Sequence, residues 1–273
     1  MNDETNTTRH PGAVGGAPVG GAPGIEAPSG AAAWLGPFFN AVLAPAQTWE
    51  ALDAKPALSV WIAAWIMVLS TVMAVINLPI TQQIMVQSTR AAMRGQGQEM
   101  SPEQLQQMTD NMMMVGTFFA YGSALVLLLM IGTIALMIWV LAALMGGRGA
   151  TFSRAFGVAA AAAVIHPLIY SVYAGIILRM NPPEIRRVTD ASTVAPTLGL
   201  DLILAGPDTP AWLEVLYQRI DLFSLWWGVL VVSGSVALLK LRKGQGITVA
   251  AIIWLFFTLI AMAGALAQGF SGS

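Results

Sequence analysis

Two apolar runs joined by Gly146-Gly147-Arg148-Gly149-Ala150-Thr151-Phe152-Ser153-Arg154 decide what this chain can fold into. From Asn111 to Gly147 there is no Asp, Glu, Lys, Arg or His, and from Ala155 to Leu178 only His166 can carry a charge. A half-exposed helix in water needs a polar face, and neither run has one. Both runs are expected to cross a bilayer, forming a hairpin from Val115 to Leu178. The rest of the chain agrees, because 56% hydrophobic and 10% charged residues, with mean hydropathy +0.68, lie outside the range of soluble domains.

The expected fold class is all-α, a polytopic membrane protein with five transmembrane helices and short interfacial helices. Span one is placed at about Leu58 to Leu78, closed by Pro79, a length of about 21 residues that at ~1.5 Å each matches a ~30 Å hydrocarbon core. Span two, about Val115 to Met145, is too long for a perpendicular crossing and must tilt or project. Span three, about Phe156 to Leu178, opens on a run of alanines from Ala155 to Ala163 that lets a neighbouring backbone approach closely, and Pro167 is expected to kink it. Spans four and five are placed at about Leu222 to Leu239 and Ile247 to Ala267, joined by a tight turn from Lys240 to Gly246.

Outside the spans, residues 1–33 are Gly/Ala/Pro-rich with no large apolar cluster, and are expected to form a disordered tail ahead of a membrane domain over 34–273. A secretory signal does not fit there, since no apolar core of the needed length follows a basic start. Trp34 to Leu52 carries an apolar, aromatic face interrupted by Pro45. It reads either as two short helices in the headgroup layer or as a segment packed on the bundle. Ile80 to Asn111 reads as a polar loop in which Ser101-Pro102-Glu103-Gln104 starts a helix that either runs unbroken into span two or breaks near Gly116. In the second long loop, Arg179 to Asp221, Thr209-Pro210 is expected to cap an amphipathic helix through Trp212 and Tyr217.

Orientation follows from the short connectors, which carry Arg148 and Arg154 after span two, and Lys240, Arg242 and Lys243 after span four, with no acidic residue in either. These are expected on the cytoplasmic side. The amino terminus is then cytoplasmic and the carboxyl terminus outside.

The connector from Gly146 to Phe156, the stretch Asp221-Leu222-Phe223-Ser224-Leu225-Trp226-Trp227 continuing to Lys240-Leu241-Arg242-Lys243-Gly244, and Leu43-Ala44-Pro45-Ala46-Gln47-Thr48-Trp49 together resemble bacterial members of the Yip-domain (Ypt-interacting protein) family. The resemblance covers about Trp34 to Ala267. It implies a five-span bundle with a cytoplasmic amino terminus, in the cytoplasmic (inner) membrane of a bacterium. Eukaryotic relatives act in vesicle traffic and contact small GTPases, but the Asp-Leu-Tyr-Gly-Pro motif of that branch is missing here, so that role is not carried over.

Chemistry is sparse. The absence of cysteine excludes thiolate nucleophiles and Cys-ligated metal, and Gly146-Gly147-Arg148-Gly149 lacks the Lys-Ser/Thr pair of a phosphate loop. A net charge of −1 with scattered basic residues speaks against nucleic acid. His166 is the ionisable group at mid-membrane, with Tyr170 and Tyr173 near its face, and forms a candidate intramembrane polar site. With no acid in any span to complete a relay, a neutral histidine bonding a carbonyl freed by Pro167 is the plainer reading. Met85, Met93, Met100, Met108, Met112, Met113 and Met114 offer thioethers suited to Cu(I), yet their irregular spacing favours ordinary helix packing. No catalytic residue, cofactor or metal is expected. The partners expected are the lipid bilayer and a membrane protein or a second copy of the chain, in a scaffold or adaptor, with a small-solute or lipid pathway as the alternative.

Overall fold

A computed structural model of the chain describes residues 36, 39–95, 101–180, 198–206 and 209–271. The tail over 1–33 lies outside the described residues, as does Trp34. Helices dominate: a short turn over 39–43, α1 (Pro45–Ala54), α2 (Leu58–Gly95), α3 (Pro102–Leu144), α4 (Phe152–Ala163), a π-helix (Val164–Tyr170), α5 (Ser171–Met180), α6 (Asp201–Leu204), α7 (Ala211–Arg219), α8 (Leu222–Leu239) and α9 (Lys243–Ser271). Four stretches are long and apolar enough to cross a membrane, Leu58–Gln83, Tyr121–Leu144, Leu222–Leu239 and Lys243–Ala267. Large apolar side chains such as Val68, Leu125, Leu129, Val229 and Leu259 point outward along them, as lipid-facing surfaces require. The chain is an all-α polytopic membrane protein.

The bundle is built around its smallest side chains. Ala155 and every residue from Gly157 to Ala163 are buried, and α4 packs against α2, α3 and α8. Lipid tails supply no hydrophobic drive between helices, so close backbone approach and dispersion contacts hold such a centre together. Ile66, Ile131, Ile138, Leu230, Leu238 and Ile253, all fully buried, surround it.

Helix ends follow local chemistry. Ser101 accepts from the Gln104 amide at 3.3 Å while Gln104 Oε1 accepts from the Ser101 amide at 3.0 Å, so the capping box is formed. Beside it, a hydrogen bond from Ser101 and the Glu103 backbone hold the Glu103 carboxyl below the usual carboxylate range. From this cap α3 continues through Gly116 without a break. Pro45 stands at the first position of α1, where its missing N–H costs nothing. Asp221 accepts from the Ser224 amide and caps α8.

Three expectations are corrected. Ile80 to Asn111 is not a loop throughout, because α2 passes Pro79 and runs to Gly95. Gln, Met, Ala and Arg are good helix formers, and polarity alone misread them. The turn after α8 is shorter than expected, since α9 already begins at Lys243 and Gln245 Oε1 accepts from the Arg242 amide at 2.9 Å. Thr209 does not cap α7; its hydroxyl accepts from the Gly206 amide at 2.7 Å, and Pro210 precedes the helix without a side-chain cap.

The segment from α4 to α5 is the irregular one. From Phe152 to Met180 the chain is helical without interruption, but the middle is wound as a seven-residue π-helix containing His166 and Pro167. Proline lacks the N–H that the α-helical ladder needs at that point, and a wider turn is one way for the ladder to re-form around the gap.

Candidate functional site

The candidate residues fall into two groups, and the structure treats them differently. In the intramembrane group, the His166 and Tyr170 backbones lie in the π-helix, while their side chains lie outside the described residues. Tyr173 lies in α5, half-buried, with its ring 5.8 Å from that of Phe223 at the start of α8. Of the methionines, Met113 and Met114 are exposed, and among the described residues no group of three or more His, Asp or Glu could hold a metal ion.

The basic connectors, by contrast, are brought together at one end of the bundle. After α3, Met145 ends the helix and Gly146 takes φ +74°, a left-handed conformation that glycine adopts without strain. The next glycines lie against the other connector. The Gly149 amide donates to the Leu239 carbonyl at 3.2 Å, and a Cβ on Gly149 would run into the Leu238 carbonyl oxygen. A Cβ on Gly147 would stand 2.9 Å from both the Leu239 oxygen and Leu241 Cδ2, so this glycine too is required by close approach. From the other side, Gln245 Nε2 donates to the Met145 carbonyl at 2.9 Å. Thr151 then starts α4, accepting from the Arg154 amide at 3.4 Å.

A residue outside both connectors ties them. Asp53, at the end of α1, takes Arg154 Nη2 at 2.8 Å on one carboxylate oxygen and Lys240 Nζ at 3.3 Å on the other. Lys240 also donates to the Ala237 carbonyl at 2.6 Å and itself sits at φ +57°, closing α8 in the left-handed conformation. The position of α1 is set by Trp49, whose indole donates to Ser233 Oγ at 3.1 Å and fills the space left by Gly234, where a Cβ would stand 3.0 Å from the ring. Thr48, Trp49 and Leu52 are buried, so α1 is docked on the bundle. Nothing in the local sequence marked Asp53; the signal was only that it is an acid near the start of a span whose end was assigned to the basic side.

Asp53 therefore neutralises two of the five connector cations. Arg148, Arg242 and Lys243 are exposed, and among the described residues they form no ion pair. A patch of this kind, held on a rigid backbone, attracts anionic groups such as phosphates or carboxylates.

The far end of the bundle carries a second polar node. Arg179, in the last turn of α5, donates to Asn77 Oδ1 at 2.6 Å, to the Ile76 carbonyl at 2.8 Å and to its own Gly175 carbonyl at 2.9 Å. Gly175 leaves room for the Asn77 side chain in this position, since a Cβ there would stand 2.7 Å from Asn77 Oδ1. These contacts clamp α5 on α2 just before Pro79.

Fold and site together define a helical membrane protein whose two short connectors form one basic face. The family model of the Yip1 domain matches residues 39–265, and the chain belongs to that family. No match was found among curated proteins or among solved structures.

Proposed function

We propose that the protein is a non-enzymatic scaffold or adaptor, and that the face made by the two connectors is where a partner docks. The observation that carries this reading is that Asp53, Gly149 and Gln245 fix both connectors to one another while leaving Arg148, Arg242 and Lys243 exposed and, among the described residues, without an ion pair. A transporter coupled to an ion would be expected to carry charged groups in its spans, and an enzyme a nucleophile with a base, and neither pattern supports those readings here. In this proposal the chain crosses a bacterial inner membrane five times, Phe152 to Met180 providing the third crossing. The amino terminus and the basic face lie in the cytoplasm and the carboxyl terminus outside. The partner is a membrane protein or a second copy of the chain.

The test pairs crosslinking and pull-down of the full chain from its own membrane with the triple variant Arg148→Glu, Arg242→Glu, Lys243→Glu. The expected result is a stoichiometric partner captured by the native chain and lost from the folded variant. Equal capture by both would overturn the docking face. A reporter active only in the cytoplasm, fused after Ser273, should stay silent, and its activity would overturn the topology.

One observation favours a pathway through the bundle as a second reading. The π-helix at Val164–Tyr170 holds His166, and such turns within helices recur at functional sites.

A further inference from the structure

A lateral groove of about 360 Å³ opens between α8 and α9, at the end of α8 opposite the basic connectors. Its wall is formed by residues such as Trp227, Gly228 and Val232 on one side and Ala251 and Trp254 on the other, and apart from Ser224 and Arg219 it is apolar. Arg219 stands at one end. The Trp254 indole donates to the Arg219 carbonyl at 3.3 Å, which holds the last residue of α7 against the mouth of the groove. The Arg219 side chain is exposed, and among the described residues it has no ion pair.

The depth of the groove matches one leaflet. Helix α8 has 18 residues, and at ~1.5 Å per residue its length of ~27 Å is close to a ~30 Å hydrocarbon core. Leu222 therefore lies near one boundary of that core and Arg219 just beyond it, in the headgroup layer. On α8 the groove is lined from Ser224 to Val232, and Val232 lies ~15 Å along the helix from Leu222 at the same rise, which is half the core. An apolar slot one leaflet deep, with a guanidinium at its headgroup end that has no ion pair among the described residues, is complementary in shape and charge to a glycerophospholipid.

We propose that this groove is a binding site for one phospholipid of the leaflet on that side, with an acyl chain between α8 and α9 and the phosphate on Arg219. Guanidinium and phosphate pair through two parallel N–H donors, which positions the headgroup as well as attracting it. The site is independent of the connector face, which lies at the other end of α8.

Gly228 offers a clean test, because a Cβ there meets nothing within 4 Å and a larger side chain enters the groove instead of the protein. The full chain is purified in detergent, stripped of lipid and titrated with short-chain phosphatidylglycerol, the adducts being counted by native mass spectrometry. The native chain is expected to take up one lipid saturably. Gly228→Leu, and Ala251→Leu from the opposite wall, should lose the adduct while melting as the native chain does. Arg219→Gln should weaken phosphatidylglycerol roughly tenfold, as loss of a charge-assisted pair does, but leave a diacylglycerol of the same chains unaffected. Equal, saturable uptake by the native chain and both groove-filling variants would overturn the site. An Arg219→Gln affinity unchanged for phosphatidylglycerol would overturn the role of the phosphate.

Discussion

Arg154 meets Asp53 at 2.8 Å although 101 positions separate them, and Lys240, 187 positions from Asp53, takes the other oxygen of the same carboxylate. The three side chains are between 31% and 50% exposed, so solvent screens both pairs. Asp53→Asn is expected to lower stability by no more than about 1 kcal/mol, with a coupling to Arg154→Gln of the same order in a double-mutant cycle. Thermal melts in detergent at low and high salt check it: the difference between native chain and variant should shrink as salt rises.

Gly149 matters more than the ion pairs. In Gly149→Ala the new methyl group meets the Leu238 backbone, which cannot rotate away as a side chain would, so the connectors must part. The expected loss is about 1–3 kcal/mol, as for overpacking elsewhere. Gly132→Ala is the control, since a Cβ there meets nothing within 4 Å; in mid-helix it should be neutral or stabilising by about 0.5–1 kcal/mol. Melting temperatures of opposite sign would bear out the contact.

Ala159 is 1% exposed at the centre of the bundle. Ala159→Leu should destabilise by about 1–3 kcal/mol through overpacking. Unchanged thermal stability in detergent would show that α4 is not the tight centre of the fold.

The Glu103 carboxyl is held low by Ser101 at the start of α3. A depressed folded value means that its contribution is present above the ordinary carboxylate range and is lost as pH falls through the folded value. Amide exchange at Gln104 to Gln107 is expected to accelerate below about pH 4 relative to the body of α3, once intrinsic rates are corrected. Glu103→Gln should remove that pH dependence.

His166→Gln is expected to keep expression, stability and the phenotype that deletion reveals, because an amide can serve a freed carbonyl as imidazole does. A folded variant that fails to complement, and abolishes flux in proteoliposomes, would favour the pathway.

Much of this fold was legible because its signals are local. Leu222 to Leu239 was bounded by the polar loop ending at Asp221 and by the basic turn; Ser101 announced α3; Pro45 marked where α1 starts. The alanines of α4 signalled a close contact without naming its partners. What escaped has no local signature. A π-turn differs from a proline kink by one residue of winding, and the pattern of apolar residues around His166 is the same for both. Asp53 finds its cations across the whole chain, and Arg179 reads as a loop cation until Gly175 and Asn77 are seen in register.

The clasp between Asp53 and Lys240 also sets an order in time. Translation at roughly 5–20 residues per second makes the 187 positions between them a delay of roughly 10–40 s. Throughout it Asp53 waits without Lys240, and from the time Gly149 is made its amide waits without Leu239. A partner docking on the joined connectors, as proposed, would thereby be blind to a half-made chain and would engage the protein only once α8 and α9 are both in place.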